Sequence, residues 1–493
     1  EGTAIVLKNT EACTIAGCTI RNAGDYHGSG VSIDGGRGNG VAGCDIFEIG
    51  SHGISLSGGD RKTLTAAENY ADNNYIHHVG VFYKQGVGIA LHGVGNRASR
   101  NLIHDGPRMG IMFGGNNLVI EYNHIRHMNL ETEDTGAVYT GGRDWISSRG
   151  TLIRGNYFHD ILGYGREGDK WVSPHFAWGV YLDDNAGGVD VIGNIVVRCP
   201  RAGLHLHNGR DNKIENNIFI ESRLQQIEYN GWTREHRYWT NHLDTMIQGY
   251  EMVANQPAWQ KMRNMDVHPK DAVLPDGKIM SGNVFRKNII FYRDPEAKLF
   301  SFRNVSWDHY ESDYNLVWHF GRPLLTGQTG AGKPISENLV LNPSFETGRA
   351  GALPKDWSWQ MRPQGANAGQ VEGDQQRLGL DAADDEAQVP RQPALAVTGQ
   401  LDTGNALQDA FQEPFAQGQE ARGLRRAIRG AELQRTRHPD DVWHVLCACA
   451  AAALLAATRL DGTQPGALAH VKQPYALRAV KLVRGQRQQV DLQ

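Results

Sequence analysis

Two adjacent acids, Asp183 and Asp184, sit in the segment GVYLDDN (179–185), and two histidines, His205 and His207, stand at matching places in GLHLHNG (203–209). A β-strand alternates its side chains between two faces. With Val180 and Leu182 turned to a core, Tyr181 and Asp183 face outward and Asp184 opens the turn. The same alternation puts His205 and His207 outside one line later. Paired carboxylates are what glycosidic cleavage requires, one protonated to assist the leaving oxygen and one ionised as nucleophile or as base on water. Imidazoles beside them can orient a carboxylate, contact sugar hydroxyls or shift a neighbour's pKa. Two further acids flank the related line GAVYTGG (136–142): Asp134 just before it, and Asp144 in the RDW just after it. Asp144 follows its strand on the side where Asp184 follows its own, so these two are expected to be neighbours across one coil. Asp183, Asp184, Asp144 and Asp134 are therefore the candidate catalytic residues. His205, His207, Tyr181, His92, Trp145, Trp178 and Arg143 are candidates for holding substrate, the aromatic ones by stacking on sugar rings. The competing structural reading is that acids at strand ends are turn formers and that aromatics cover loops.

The elements that must position these residues are two kinds of short line that alternate along the chain. One reads Gly-apolar-x-apolar, as in GISLSGG (53–59), GIALHGV (88–94) and GIMFGGN (110–116). Aligned by its glycine, it predicts outward pairs Ser32 and Asp34, Ser55 and Ser57, Ala90 and His92, Met112 and Gly114, then Val138 and Thr140. The other runs from CTIRNAG (18–24) to NIFIESR (217–223), with start-to-start steps of 26, 30, 27, 22, 33, 38 and 23 residues. A unit that recurs at this length with insertions marks a solenoid, and period-two alternation over four to six residues marks strands. The expected fold class is all-β, a parallel β-helix of two or three strands per coil. Asn74, Asn101, Asn123, Asn156, Asn194 and Asn217 recur at one place and predict an internal amide ladder, with Cys18 and Cys44 substituting at the early end. His77, His104, His127 and His159 read as repeat structure rather than metal ligands.

Residues 1–330 make up the predicted solenoid, with a partly helical excursion over 222–280 where the glycines lapse and helix formers appear. SENLVLNPSFE and the residues after it (336–360) resemble the first strand of a jelly-roll carbohydrate-binding module. Residues 361–493, rich in Ala, Gln and Arg, are expected to be a low-order or non-native tail, a shifted reading frame being one source. The formal charge of −4 over 493 residues lacks the basic footprint of a nucleic-acid binder or a basic membrane patch. The most apolar run, 445–457, is too short to span a bilayer. Six cysteines form neither a disulfide framework nor a zinc spacing. The chain opens on Glu1 inside repeat-like sequence, so a mature chain or a fragment of a larger protein is expected, secreted or periplasmic and monomeric. No cofactor is required; calcium between Asp134, Asp144 and Asp183 is the one option the acids offer.

The lines DTGAVYTGGRDW, GVYLDDNAGGVDVIGN and GRDNKIENNIF resemble bacterial right-handed parallel β-helix proteins that act on carbohydrates, most closely glycoside hydrolase family 141, which includes α-L-fucosidase and xylanase activities. The resemblance covers most of residues 1–320. It implies a right-handed solenoid, a poly- or oligosaccharide substrate and two catalytic aspartates, here Asp144 with Asp183 or Asp184. The insertion 163–178 between the two acids departs from it and is expected to shape the pocket. A lyase or epimerase on the same fold would need a base and a cation such as Arg143 or Arg210 for a uronate carboxylate. A non-catalytic carbohydrate-binding solenoid would show a repetitive polar face with no carboxylate cluster.

Overall fold

The computed structural model describes residues 2–319 and 324–329, and in addition the strands Arg478–Val483 and Gln486–Asp491. The chain divides into two units, 1–394 and 395–493. The first is built of three parallel sheets of 11, 10 and 10 strands, each coil giving one strand to each sheet. The second unit shows one antiparallel strand pair, Arg478–Val483 with Gln486–Asp491. The jelly-roll-like segment 336–360 and most of the tail lie outside the described residues.

Each coil turns from the second sheet to the third through two residues, the first in the left-handed region, as at Gly43 (φ 61), Asn73 (φ 55), Gly193 (φ 68) and Asn216 (φ 57). The next residue points inward, and this is the asparagine column. The backbone N–H of Asn156 donates to Asn194 Oδ1 at 3.0 Å, and its Nδ2 donates both to that same oxygen at 2.9 Å and to Ile120 O at 2.9 Å. Its own Oδ1 accepts from Asn123 N and Nδ2. The pattern runs from Cys44 N on Asn74 through Asn217 to Asn288 and Asn315. A second column, absent from the sequence reading, stands before the second-sheet strands: Asn39, Asn69 and Asn96, then Asn212 and Asn283. Between them the same place holds Leu118, Thr151 and Val189.

Alternation within each strand fills the interior with aliphatic side chains, among them Ile33, Leu56, Leu91, Val138, Val180, Leu204 and Ile227, all within 1 % of complete burial. The solenoid continues further than the glycine pattern indicated. Gln225–Asn230 is a full first-sheet strand in register with Ala202–His207, so the excursion begins at residue 231 and not at 222. It contains the helix Arg237–Val253, whose Trp239, Met246, Tyr250 and Val253 are buried along one face. Trp259 ties it back by donating to Arg61 O at 2.8 Å, and Arg263 by its pair with Asp190 at 2.7 Å.

On the outer face of the third sheet, His77, His104 and His159 follow one column and His124 the next, with His77 stacked on His104 at 5.3 Å. His127 lies in the turn after its strand. Burial depresses the pKa of His77 and His159, and that of His124 to about 3. A histidine that stays neutral when folded binds fewer protons than the unfolded chain, so stability is full above the unfolded value of about 6.5 and declines as pH falls toward 3. A scan of Tm between pH 7 and 4 should therefore fall, and His124→Gln should flatten it; a slope unchanged by that variant would reject this origin. Asn156→Leu should cost on the order of 3–5 kcal/mol by chemical denaturation, since it strands Asn123 N–H, Asn123 Nδ2 and Ile120 O inside the fold.

Candidate active site

The first sheet's outward face carries two columns. One runs Ser55, Ala90, Met112, Tyr139, Tyr181, His205, Glu228, and the pairings Met112 with Tyr139, Tyr139 with Tyr181, and His205 with Glu228 fix its register. The other, two residues on, runs Ser57, His92, Gly114, Gly141, Asp183, His207, Asn230. One sequence-based placement is overturned here. Val138 pairs with Val180 and Thr140 with Leu182, so both face inward, and Tyr139 is the outward residue. Ala137, not Gly136, occupies the place of the glycine that begins the other lines, and a one-residue slip exchanges every side chain between faces.

Tyr139 is what this slip concealed. Its hydroxyl donates to Asp183 Oδ2 at 2.8 Å. A Cβ at Gly141 would lie 2.4 Å from that hydroxyl, so glycine there is what lets the phenol reach the carboxylate. Asp183 Oδ1 accepts from His207 Nδ1 at 2.6 Å and from the Asp184 backbone N–H at 2.9 Å. Burial opposes ionisation of Asp183, but His207 and Tyr139 outweigh it and hold its pKa at about 2. The two carboxylates also pull the pKa of His207 upward against its burial. Trp232 pulls the other way: its indole Nε1–H donates to His207 Nε2 at 3.1 Å and needs a lone pair there. The arrangement is that of a neutral imidazole carrying its proton on Nδ1 toward Asp183.

Two acids around Asp183 shift in the opposite sense. Asp184 is buried, pairs with Arg143, and is pushed up by desolvation and by the adjacent Asp183 charge. Asp134 is exposed, but its carboxyl is crowded by protein, and this desolvation together with Asp183 raises its pKa. The Tyr181 hydroxyl donates to Asp134 Oδ1 at 3.2 Å and also interacts with Asp183, so one phenol lies between the two acids.

Several predicted site residues take other places. Asp144 does not bond to Asp183 or Asp184: its Oδ1 accepts from Ile146 N and Ser147 N, and its Oδ2 lies 3.8 Å from Arg61. It caps a loop, as short acids after strands do. Trp145 is 3 % exposed, packed on Trp239 and under the Arg210 guanidinium, and offers no face to a sugar. Trp178 is fully buried and donates to Glu228 Oε2 at 2.7 Å, while Tyr181 is 3 % exposed. His205 packs against both Trp178 and Tyr181 at 4.6 Å from each, in a three-ring cluster, and burial keeps it neutral, with a pKa near 3. These four form the support of the site and not its sugar platform. His92 stays half-buried on the outward face, three coils from Asp183. Sequence reasoning also missed Glu228, ionised against Arg201 and Trp178, because its strand was assigned to the excursion.

Asp183, Asp184 and His207 offer ligand atoms within 4.8 Å of one another, a carboxylate–imidazole set unlike the all-oxygen calcium option, which Asp144 does not join. A metal there would displace the His207–Asp183 bond and the Arg143–Asp184 pair.

Residues 3–176 match the family model of the right handed beta helix region, and the whole arrangement of three stacked parallel sheets is a right-handed β-helix. No curated protein matches the chain. Among solved structures, it is similar to the DFA-IIIase of Arthrobacter chlorophenolicus A6 in complex with GF2 (12 % identity, 59 % of this chain and 63 % of that one, TM-score 0.31). It is also similar to the Dettilon tailspike protein (12 %, 64 % and 62 %, TM-score 0.37) and to PfbA, a surface adhesin of Streptococcus pneumoniae (10 %, 65 % and 72 %, TM-score 0.32). The chain thus spans under two thirds of the length of the first two. Among the described residues no helix is long and apolar enough to cross a membrane.

Tyr139→Phe should destabilise the protein by about 1.5 kcal/mol at neutral pH, the contribution of a hydrogen bond to a charged acceptor. Asp183's contribution is present above its unfolded pKa of about 3.9 and is lost as pH falls through about 2. The gap between parent and variant, followed by denaturation against pH, should close over that range; a gap that persists below it would show that Tyr139 acts by packing.

Proposed function

We propose that this protein is a glycoside hydrolase in which Asp183 is the ionised partner and Asp134 the proton donor. The observation that carries this reading is the split in pKa: one carboxylate held ionised by three donors, beside an accessible acid whose pKa is raised. Titratable groups driven apart by their surroundings are the signature of an acid and a base assigned to one reaction. Asp134 replaces Asp144 as the second acid of the pair, because the charge on Asp183 acts on it and the Tyr181 hydroxyl that it accepts from also interacts with Asp183. Asp183 then serves as nucleophile or as base on water, and the stereochemistry of the released sugar decides between the two. His207 and Tyr139 orient Asp183, and Arg143 holds Asp184 beside it. The substrate is a poly- or oligosaccharide, and glycoside hydrolase family 141 is the proposed family on the strength of the YLDD and GRDNKIENNIF lines. The two cations expected of a lyase are engaged, Arg143 with Asp184 and Arg210 on Trp145 and with Asp211, so a lyase would have to use another arginine.

Reducing-sugar release from a panel of plant and algal polysaccharides, with ultraviolet absorbance for unsaturated products, tests this. Saturated sugars should appear and should fall about a thousandfold in both Asp183→Asn and Asp134→Asn. Asp144→Asn should keep its turnover. Activity should decline on the alkaline side as Asp134 loses its proton. Unsaturated products, or full activity in Asp134→Asn, would sink the assignment.

A further inference from the structure

The arginines around the site are matched to carboxylates: Arg143 to Asp184, Arg149 and Arg210 to Asp211, Arg201 to Glu228 and Arg263 to Asp190. Arg108 breaks this pattern. Among the described residues it has no carboxylate oxygen within 4.0 Å, and its one hydrogen bond is a long one, 3.4 Å, from Nη1 to Glu133 O. It is half-buried, and the titratable groups near enough to act on its charge are Tyr139, Asp134, Tyr83 and Tyr181. A guanidinium stays charged in such a place, and keeping a crowded charge unpaired costs free energy that a bound anion would offset.

We infer that Arg108 is a subsite for an anionic sugar, receiving the carboxylate of a uronate or the oxygens of a sulfate ester next to the Asp134 proton donor. This rests on the saccharide reading of the same site. Arg108 stands one coil before Asp134 and Tyr139, so the anion it receives lies beside the acid and not behind Asp183. The guanidinium fork is planar with five donors, and its one long bond to Glu133 O leaves in-plane N–H groups for the two parallel N–H···O bonds that a carboxylate or sulfate accepts. The bound anion also has an electrostatic consequence. Arg108 lowers the pKa of Asp134, and an anion on Arg108 cancels that effect, so the acid keeps its proton when the correct substrate is in place. Discrimination between acidic and neutral sugars would then enter both binding and turnover.

The test uses oligogalacturonides and glucuronoxylan oligosaccharides before and after carbodiimide–borohydride reduction of their carboxyls, with carrageenan oligosaccharides and their desulfated forms as the sulfate arm. Binding to the full chain is measured calorimetrically, and turnover by reducing ends and ultraviolet absorbance. The parent should bind one acidic series about tenfold or more tighter than its neutral counterpart. Arg108→Gln should erase that preference while binding the neutral form as before, and Arg108→Lys should retain part of it. Circular dichroism checks the fold of each variant, and the parent's own preference tests the inference even where Arg108→Gln fails to fold. Equal binding of acidic and neutral forms, or no binding of any acidic oligosaccharide at millimolar concentration, overturns it. Arg108-dependent binding without saturated products would leave the subsite standing and remove the hydrolase; hydrolysis of neutral glycans with Arg108→Gln unaffected would do the reverse.

Discussion

The solenoid depends on one repeated hydrogen-bonding unit, the inward asparagine that follows a left-handed residue at the turns from the second sheet to the third from Asn74 onward. Its carboxamide accepts from the coil before and donates to the coil after, so the spacing of amides must equal the spacing of paired strands, about 4.8 Å. A turn buried inside a solenoid would otherwise strand backbone N–H and C=O groups at every coil. With that turn fixed, strand registers in all three sheets are fixed with it, and outward columns become reliable places to set side chains.

The second asparagine column shows what happens when the constraint is relaxed. It lapses at Leu118, Thr151 and Val189, and the last two follow the segments 141–150 and 183–188 that carry Arg143, Asp144 and Asp184. The lost ladder bonds are replaced by a buried pair, Arg149 with Asp211 at 2.8 Å, and by the excursion, whose Arg263 O accepts from Arg149 at 2.6 Å. Such a pair contributes little net stability, because desolvation offsets its attraction, but removing one partner would leave the other buried and unmatched. The site thus lies where regular repetition has been given up, and irregular loops have been given a specific seat.

Much of this was legible in the sequence because the information is periodic. Alternation and glycine punctuation revealed the strands, and Asn74 to Asn217 revealed the ladder, since each recurs once per coil. The outward pairing of Asp183 with His207 was legible for the same reason. Tyr139 was not, because its line begins with Gly136 one residue ahead of the true register, and no local signal marks Ala137 as the equivalent of Gly179. Trp145, Trp178 and Tyr181 read as sugar platforms because alternation states which face a side chain leaves by, not what then covers it. What covers them is the excursion and the segment 163–178, neither of which repeats.

That cover also decides how the acids differ. Asp183 faces outward but is 7 % exposed, and its partner His207 is itself held by Trp232 from the excursion, so its charge is stabilised by the donors the protein supplies. Asp134 stands at the far end of the neighbouring strand, where the backbone of Phe176 accepts its N–H at 2.9 Å, and it remains open to solvent. One carboxylate is therefore organised by hydrogen bonds from fixed partners and the other by crowding and by repulsion from the first. Burial is the larger reason that Asp134 is hard to ionise and the charge on Asp183 adds to it, while His207 and Tyr139 keep Asp183 ionised.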